Sequence, residues 1–241
     1  MRYLINLSYD GSKFYGYQIQ KNKYTVEGEI ERVLSKILNT KVNTTGSSRT
    51  DKAVHANNQY CHFDIDKKLD IRKITHAING LIDKSIYIKK ITQVDNNFHA
   101  RYSVYKKEYI YKINLGEYNP IEKDYVFQYN KNISKDLLDN FCNMMSGKHN
   151  FRSFTSDKEK ESYERDVKIT YKIDKKILYL KFESSGFLRY MIRNIVGLLI
   201  DINDNKKKLE DIPKIFKSCD RSACGKKGNP EGLYLNKIEF M

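Results

Sequence analysis

The apolar residues of this chain change period repeatedly, and that alternation constrains the fold more than any other feature. In RYLINLSYD, Tyr3, Ile5, Leu7 and Tyr9 alternate with Leu4, Asn6 and Ser8, the period of two expected of a half-buried strand. Asp10-Gly11 then marks a turn. After Thr25, which reads as an N-cap, Val26, Ile30, Val33, Leu34, Ile37 and Leu38 fall on one face of a helix. A strand is expected in NQYCHFDI, a second helix over 71–81, and further strands in SIYIKKITQV and KKEYIYKINL. Beyond these, Ser134 is placed to cap a helix whose inward residues are Leu137, Leu138, Phe141, Met144 and Met145, with Gly147 as its stop. DVKITYKIDKKILYLKFESS reads as a hairpin turning at 174–176, 187–202 as a buried helix, and GLYLNKIEF as a closing strand. Hairpin-like neighbours mixed with helices favour an α/β fold of the α+β kind, with a largely antiparallel sheet, over a doubly wound parallel one. The run 116–123, holding the only proline before residue 200, reads as the connection between two halves.

Charge narrows the class of partner. With 44 Lys and Arg against 30 Asp and Glu the net charge is +14, the footprint of a protein that meets a polyanion. Only ten of those cations are Arg, so each Arg is the sharper pointer, because its planar fork fits phosphate and base edges. Arg49, Arg101, Arg165, Arg189 and Arg193 are the ones to follow. The four cysteines, with no CxxC pair, fit free thiols in a reducing cytoplasm. The N-terminal residues carry no secretory pattern. The most apolar run, 187–202, is broken by Arg189, Arg193 and Asn194, so no membrane span is expected.

One loop stands out chemically. GSSRTDKAVHA places the acid Asp51 between Arg49 and the pair Lys52 and His55. It is not a phosphate loop, since GxxxxGK[ST] is absent, and Ser47, Asp51 and His55 lack the GxSxG setting of an acyl-transfer triad. His55, Cys61 and His62 match no common zinc spacing, so no metal is expected. Taken alone, Asp51 reads as a helix cap or turn residue, Tyr109 as a core aromatic and Arg193 as a snorkelling surface cation.

Six segments in order change that balance. YDGSKFYGYQIQ, TVEGEIERVL, GSSRTDKAVHANNQYCHFD, FHARYSVYKKEYIYKI, GFLRYMIRNIVGLL and PEGLYL resemble the motifs of the tRNA pseudouridine synthase A family from one end of the chain to the other. The resemblance implies the pseudouridine synthase fold, with two fused α+β halves, 1–103 and 104–241, sharing a mixed sheet around a basic cleft. It implies isomerisation of uridine to pseudouridine in the tRNA anticodon stem-loop, at positions 38 to 40, by a cytoplasmic homodimer without cofactor. Asp51 takes the place of the family nucleophile and Arg193 that of the cation keeping it ionised. Tyr109 takes the place of the tyrosine that packs on the target base, and Arg49 that of the arginine that helps hold the flipped nucleotide. Leu233 matches a pocket leucine, and Arg101 is expected to touch RNA near the site. The N1–C1′ bond must break and the uracil rejoin through C5; a carboxylate attacking the sugar, attacking the base, or removing a proton all fit. Ser48 and Lys52 depart from the usual Gly and Ala flanking the RTD triplet, and Tyr17 from the usual Trp, so a paralogue acting on other tRNA positions or on ribosomal RNA is the alternative reading. An RNA-binding module without catalysis would need the charge but not Asp51. A hydrolase would need an oxyanion hole that no motif announces.

Overall fold

The computed structural model describes all residues, 1–241. In chain order the elements of the first part are β1 (Arg2–Tyr9), α1 (Val26–Leu38), β2 (Thr45–Gly46), β3 (His55–Asp64), α2 (Ile71–Leu81) and β4 (Ile86–Val94). There follow β5 (Val104–Asn114), β6 (Phe127–Gln128), α3 (Lys135–Met145), β7 (Gly147–Asn150), β8 (Glu164–Asp174), β9 (Ile177–Ser184), α4 (Met191–Asn203), α5 (Ile212–Ser218) and β10 (Leu233–Phe240). The chain forms two compact units, one of Met1–Tyr105 with Tyr234–Met241, the other of Lys106–Leu233. The last strand therefore belongs with the first unit, although the sequence counts it with the second half.

In the first unit β1 is central, antiparallel to β3 on one side and β4 on the other. Its alternation is the cause: Tyr3, Ile5, Leu7 and Tyr9 are buried while the intervening residues are not. The other edge of β3 takes β2 near its end and β10 at its start, β10 lying parallel with Tyr234 opposite His55. Thr25 caps α1 by accepting from Gly28 N–H, and Asp70 caps α2 by accepting from Lys73 N–H. The two helices pack on each other, and α2 packs on β4. The strand expected from residue 58 begins earlier, at His55, because His55 and Ala56 are already paired with β10.

The second unit is an antiparallel meander, β5–β9–β8–β7, with β6 parallel to β5. The β8–β9 hairpin turns on Lys175 and Lys176, both at positive φ (46° and 66°), the geometry that matches strand twist. Ser134 caps α3, which packs on β8. Helix α4 begins at Met191 rather than at 187, because Tyr190 sits in the left-handed region at φ 63° and interrupts helical continuation. Eleven of its thirteen residues are buried, so it is the central helix of this unit. The run 116–123 is no joint. Asn114 folds it back, accepting from Gly116 N–H and donating to Glu117 O and Gln128 Oε1, all inside the second unit.

Candidate active site

Asp51 lies on the loop between β2 and β3 and is half-buried. No helix follows it. Val54 N–H donates to Asp51 backbone O (3.2 Å), Ala53 adopts φ 62°, and β3 starts at His55, so the helix-cap reading does not hold. The loop is fastened from behind by the segment after β1. Tyr17 N–H donates to Thr50 O (3.1 Å), Ala53 N–H donates to Phe14 O (3.4 Å), and Tyr9 Oη is hydrogen-bonded to Thr50 Oγ1 (2.8 Å). Gly16 makes this approach feasible: at φ +98° a Cβ there would stand 2.7 Å from Thr50 O and 3.2 Å from the Asp51 carbonyl carbon. The backbone flanking the carboxylate is thus set by the first motif of the chain rather than by its own neighbours.

On the far side of the loop, His55 is buried against Tyr234, with ring centroids 4.6 Å apart. Its Nδ1 accepts from Gly11 N–H at 3.1 Å and lies 3.3 Å from Asp10 Oδ1. His62 is also occupied: it is buried, its Nδ1 accepts from Ala100 N–H, and its ring meets His99 edge-on at 4.9 Å. Burial first, then the charge of Arg2 and the neighbouring His99, lowers its pKa to about 4. Cys61 is fully buried, which pushes its thiol up to about 12. These three residues form no metal-ligating cluster.

Arg49 is exposed and Arg101 half-buried. Both act on Glu27 of α1: burial raises its pKa, and the two guanidinium charges work against that rise. Arg49, Arg101 and the Asp51 loop belong to one unit. Sequence reasoning did not single out Glu27, Tyr9 or the 14–17 backbone as supports. The signal was present only as the first motif itself, whose role becomes visible once Gly16 is seated on Thr50.

Tyr109, Arg193 and Leu233 belong to the second unit, and all three are buried. Tyr109 lies on β5 opposite Phe182 and meets Phe187 edge-on, centroids 5.3 Å apart. Arg193 lies in the first turn of α4, where its Nε donates to Gly228 O (2.9 Å) and its backbone O accepts from Gly228 N–H (2.7 Å). Residues 226–233 clamp that helix to β5. Gly197 admits them, since a Cβ there would stand 1.8 Å from Lys226 O. Tyr111 Oη then donates to Asn229 O, and Lys112 N–H donates to Gly232 O. Leu233 follows immediately, its N–H donating to Pro230 O (2.9 Å). One clamp thereby positions Arg193 and Leu233 relative to the strand that carries Tyr109. Arg189 stacks on Tyr190 and donates to its hydroxyl, and Arg165 donates to the Ser162 and Glu164 carbonyls, so each is engaged locally.

Residues 6–103 and 141–241 match a family model described as tRNA pseudouridine synthase. Three similar proteins each bear the name tRNA pseudouridine synthase A. That of Mycoplasma genitalium is 39% identical over 240 residues, covering 99% of this chain and 98% of its own. That of Malacoplasma penetrans is 38% identical over 243 residues and the full length of both chains. The Geobacillus protein is 36% identical over 240 residues, 97% of this chain and 96% of its own. Full-length likeness at this level shows that the chain belongs to the tRNA pseudouridine synthase A family.

Proposed function

We propose that the chain isomerises uridine to pseudouridine in the tRNA anticodon stem-loop, at positions 38 to 40, with Asp51 as the nucleophile. The observation that carries the reading is the seat of Asp51: a half-buried carboxylate on a backbone-tethered loop, in a protein of charge +14. In a polyanion-binding protein an acid of this kind costs affinity, a cost that a chemical role would explain. Its ionised form needs a nearby cation to offset desolvation, and the reading gives that role to Arg193.

The steps balance without a donor or acceptor. The N1–C1′ bond of uridine breaks, the uracil turns, the C5–C1′ bond forms, and the proton at C5 leaves as N1 gains one. Asp51 serves either as the group that attacks or as the base that starts elimination. Extruding the base costs a few kcal/mol of stacking and pairing. Tyr109 offsets this by packing on the uracil, a contact of about 1–3 kcal/mol where an aromatic face stacks on a base. Arg49 and Arg101 hold the flanking backbone, and Leu233 closes the pocket. The reading further includes a homodimer acting in the cytoplasm without a cofactor. It is supported by the family relation.

The test is tritium release from tRNA labelled at uridine C5, followed by mapping of the modified positions. Release with modification at 38 to 40 is expected. Binding without release would reduce the protein to an RNA-binding module, and release from other positions would move the target. Light scattering of the purified protein reads the dimer directly.

A further inference from the structure

The residue after the proposed nucleophile is a lysine, and it does not stand alone. Lys52 Nζ lies over the ring of Tyr15, 4.5 Å from its centroid, and Lys23 Nζ lies over the same ring at 4.6 Å. Tyr15 is 42% exposed, a large aromatic that the fold leaves facing solvent. Both lysines are exposed, and neither makes an ion pair with a carboxylate. Two unneutralised ammonium groups gathered on one exposed ring are unfavourable to each other unless something negative joins them.

The backbone fixes the cluster beside Asp51. Tyr15 N–H donates to Tyr24 O (2.9 Å), which holds Lys23 alongside, and Tyr15 O accepts from Gln20 Nε2 (2.8 Å). The next residue is Gly16, seated on the Thr50 carbonyl, so Tyr15 cannot move independently of the loop that ends in Asp51-Lys52. Cation–π contacts hold both side chains over the ring at the cost of little further entropy. A ring face with flanking cations suits an unpaired nucleotide, whose base stacks while its phosphates meet the lysines.

We propose that Tyr15, Lys23 and Lys52 form a contact site for the RNA strand next to the target uridine, with the two lysines each neutralising a phosphate. The proposal rests on the synthase reading for the identity of the strand. Lys52 then adds affinity beside the proposed nucleophile, and it sets how tightly this chain holds the stretch around its target.

The test is the salt dependence of binding to an unmodified tRNA transcript, measured from 50 mM salt upward for the wild type, K52A, K23A, the double variant and K52R. Each lost phosphate contact lowers the slope of log Kd against log salt by about 0.7–0.9. If the contact vanishes near 1 M salt, Kd at 50 mM rises about 8- to 15-fold per lysine. K52R keeps the charge and is expected to keep the slope. K36A, an exposed lysine on α1, is the control that should change nothing. Wild-type slopes in K52A and in the double variant overturn the proposal, as does a slope that K52R fails to restore. Wild-type protein that binds but forms no pseudouridine would refute the synthase reading, while the slopes would still decide whether the lysines meet phosphate.

Discussion

Replacing Gly16 by alanine tests whether the first motif really seats the Asp51 loop. Two costs arise from the structure. At φ +98° any L side chain is strained, by about 1–3 kcal/mol. The new Cβ also meets Thr50 O at 2.7 Å, and crowding of this kind in a packed site costs about 1–3 kcal/mol. For a domain of this size each kcal/mol lowers Tm by about 2–4 °C, so a fall of at least about 4 °C is expected. The second effect is on chemistry. To regain ordinary contact at 3.4 Å, Thr50 O must retreat by about 0.7 Å, and Asp51 is the next residue. Misplacement on this scale lowers the rate by on the order of 10²-fold. Gly80→Ala is the internal comparison. Gly80 lies near the end of α2 with nothing within 4 Å of an added Cβ, so the same substitution should stabilise by about 0.4–1 kcal/mol and leave the rate alone. Thermal melts and single-turnover pseudouridine formation on tRNA read both. A Gly16→Ala protein with wild-type Tm, or one that melts lower yet keeps its full rate, would refute the argument that Gly16 seats the loop.

Asp51→Asn should melt like the wild type, because the turn is closed by the Asp51 backbone carbonyl, yet form no pseudouridine while binding tRNA at least as tightly; wild-type turnover in the folded variant would remove Asp51 from the chemistry. Tyr109→Phe should fold and bind RNA almost normally, since the ring stays against Phe187, and if catalysis needs the hydroxyl only the chemical step slows; unchanged single-turnover rates in both this variant and Tyr109→Leu would return the residue to the core. His62 gives a pH signature: its folded pKa, about 4, lies below the unfolded value near 6.5, so the unfolded chain takes up the proton first as pH falls. Stability should therefore be fully retained above about pH 6.5 and drop by roughly 2–4 kcal/mol towards pH 4, and urea midpoints of His62→Gln should be flatter across that window; an equally steep profile in the variant would assign the acid loss elsewhere.

Period and caps made much of the fold legible. The alternation of β1 and the capping by Thr25 and Ser134 appear in the structure where the sequence places them, because each depends on residues within one turn or strand. What escaped depends on backbone geometry that side-chain type does not announce. Tyr190 stops α4 from starting at 187 by adopting a left-handed conformation, and Asn114 turns the apparent joint at 116–123 into an ordered loop. β7 and α5, of four and seven residues, are too short for a period to declare them. The candidate site was similarly divided. The ordered motifs named its candidate residues, but the support of the Asp51 loop by Gly16, and the gathering of Lys23 and Lys52 on Tyr15, require the chain to be folded.

The membership of Tyr234–Met241 in the first unit sets an order for biosynthesis. β10 lies along β3, Tyr234 covers His55 four residues past Asp51, and Met241 N–H donates to Ser103 O. When residue 105 has been made, the first unit still has an uncovered β3 edge, and about 130 residues must follow before its last strand exists. At about 5–20 residues per second that gap lasts on the order of 6–26 s on the ribosome. During that interval the loop bearing the carboxylate has its tether to the first motif but not its cover on the far side. A nascent chain stalled anywhere in the second unit would therefore carry the RTD triplet without the β10 cover beside it.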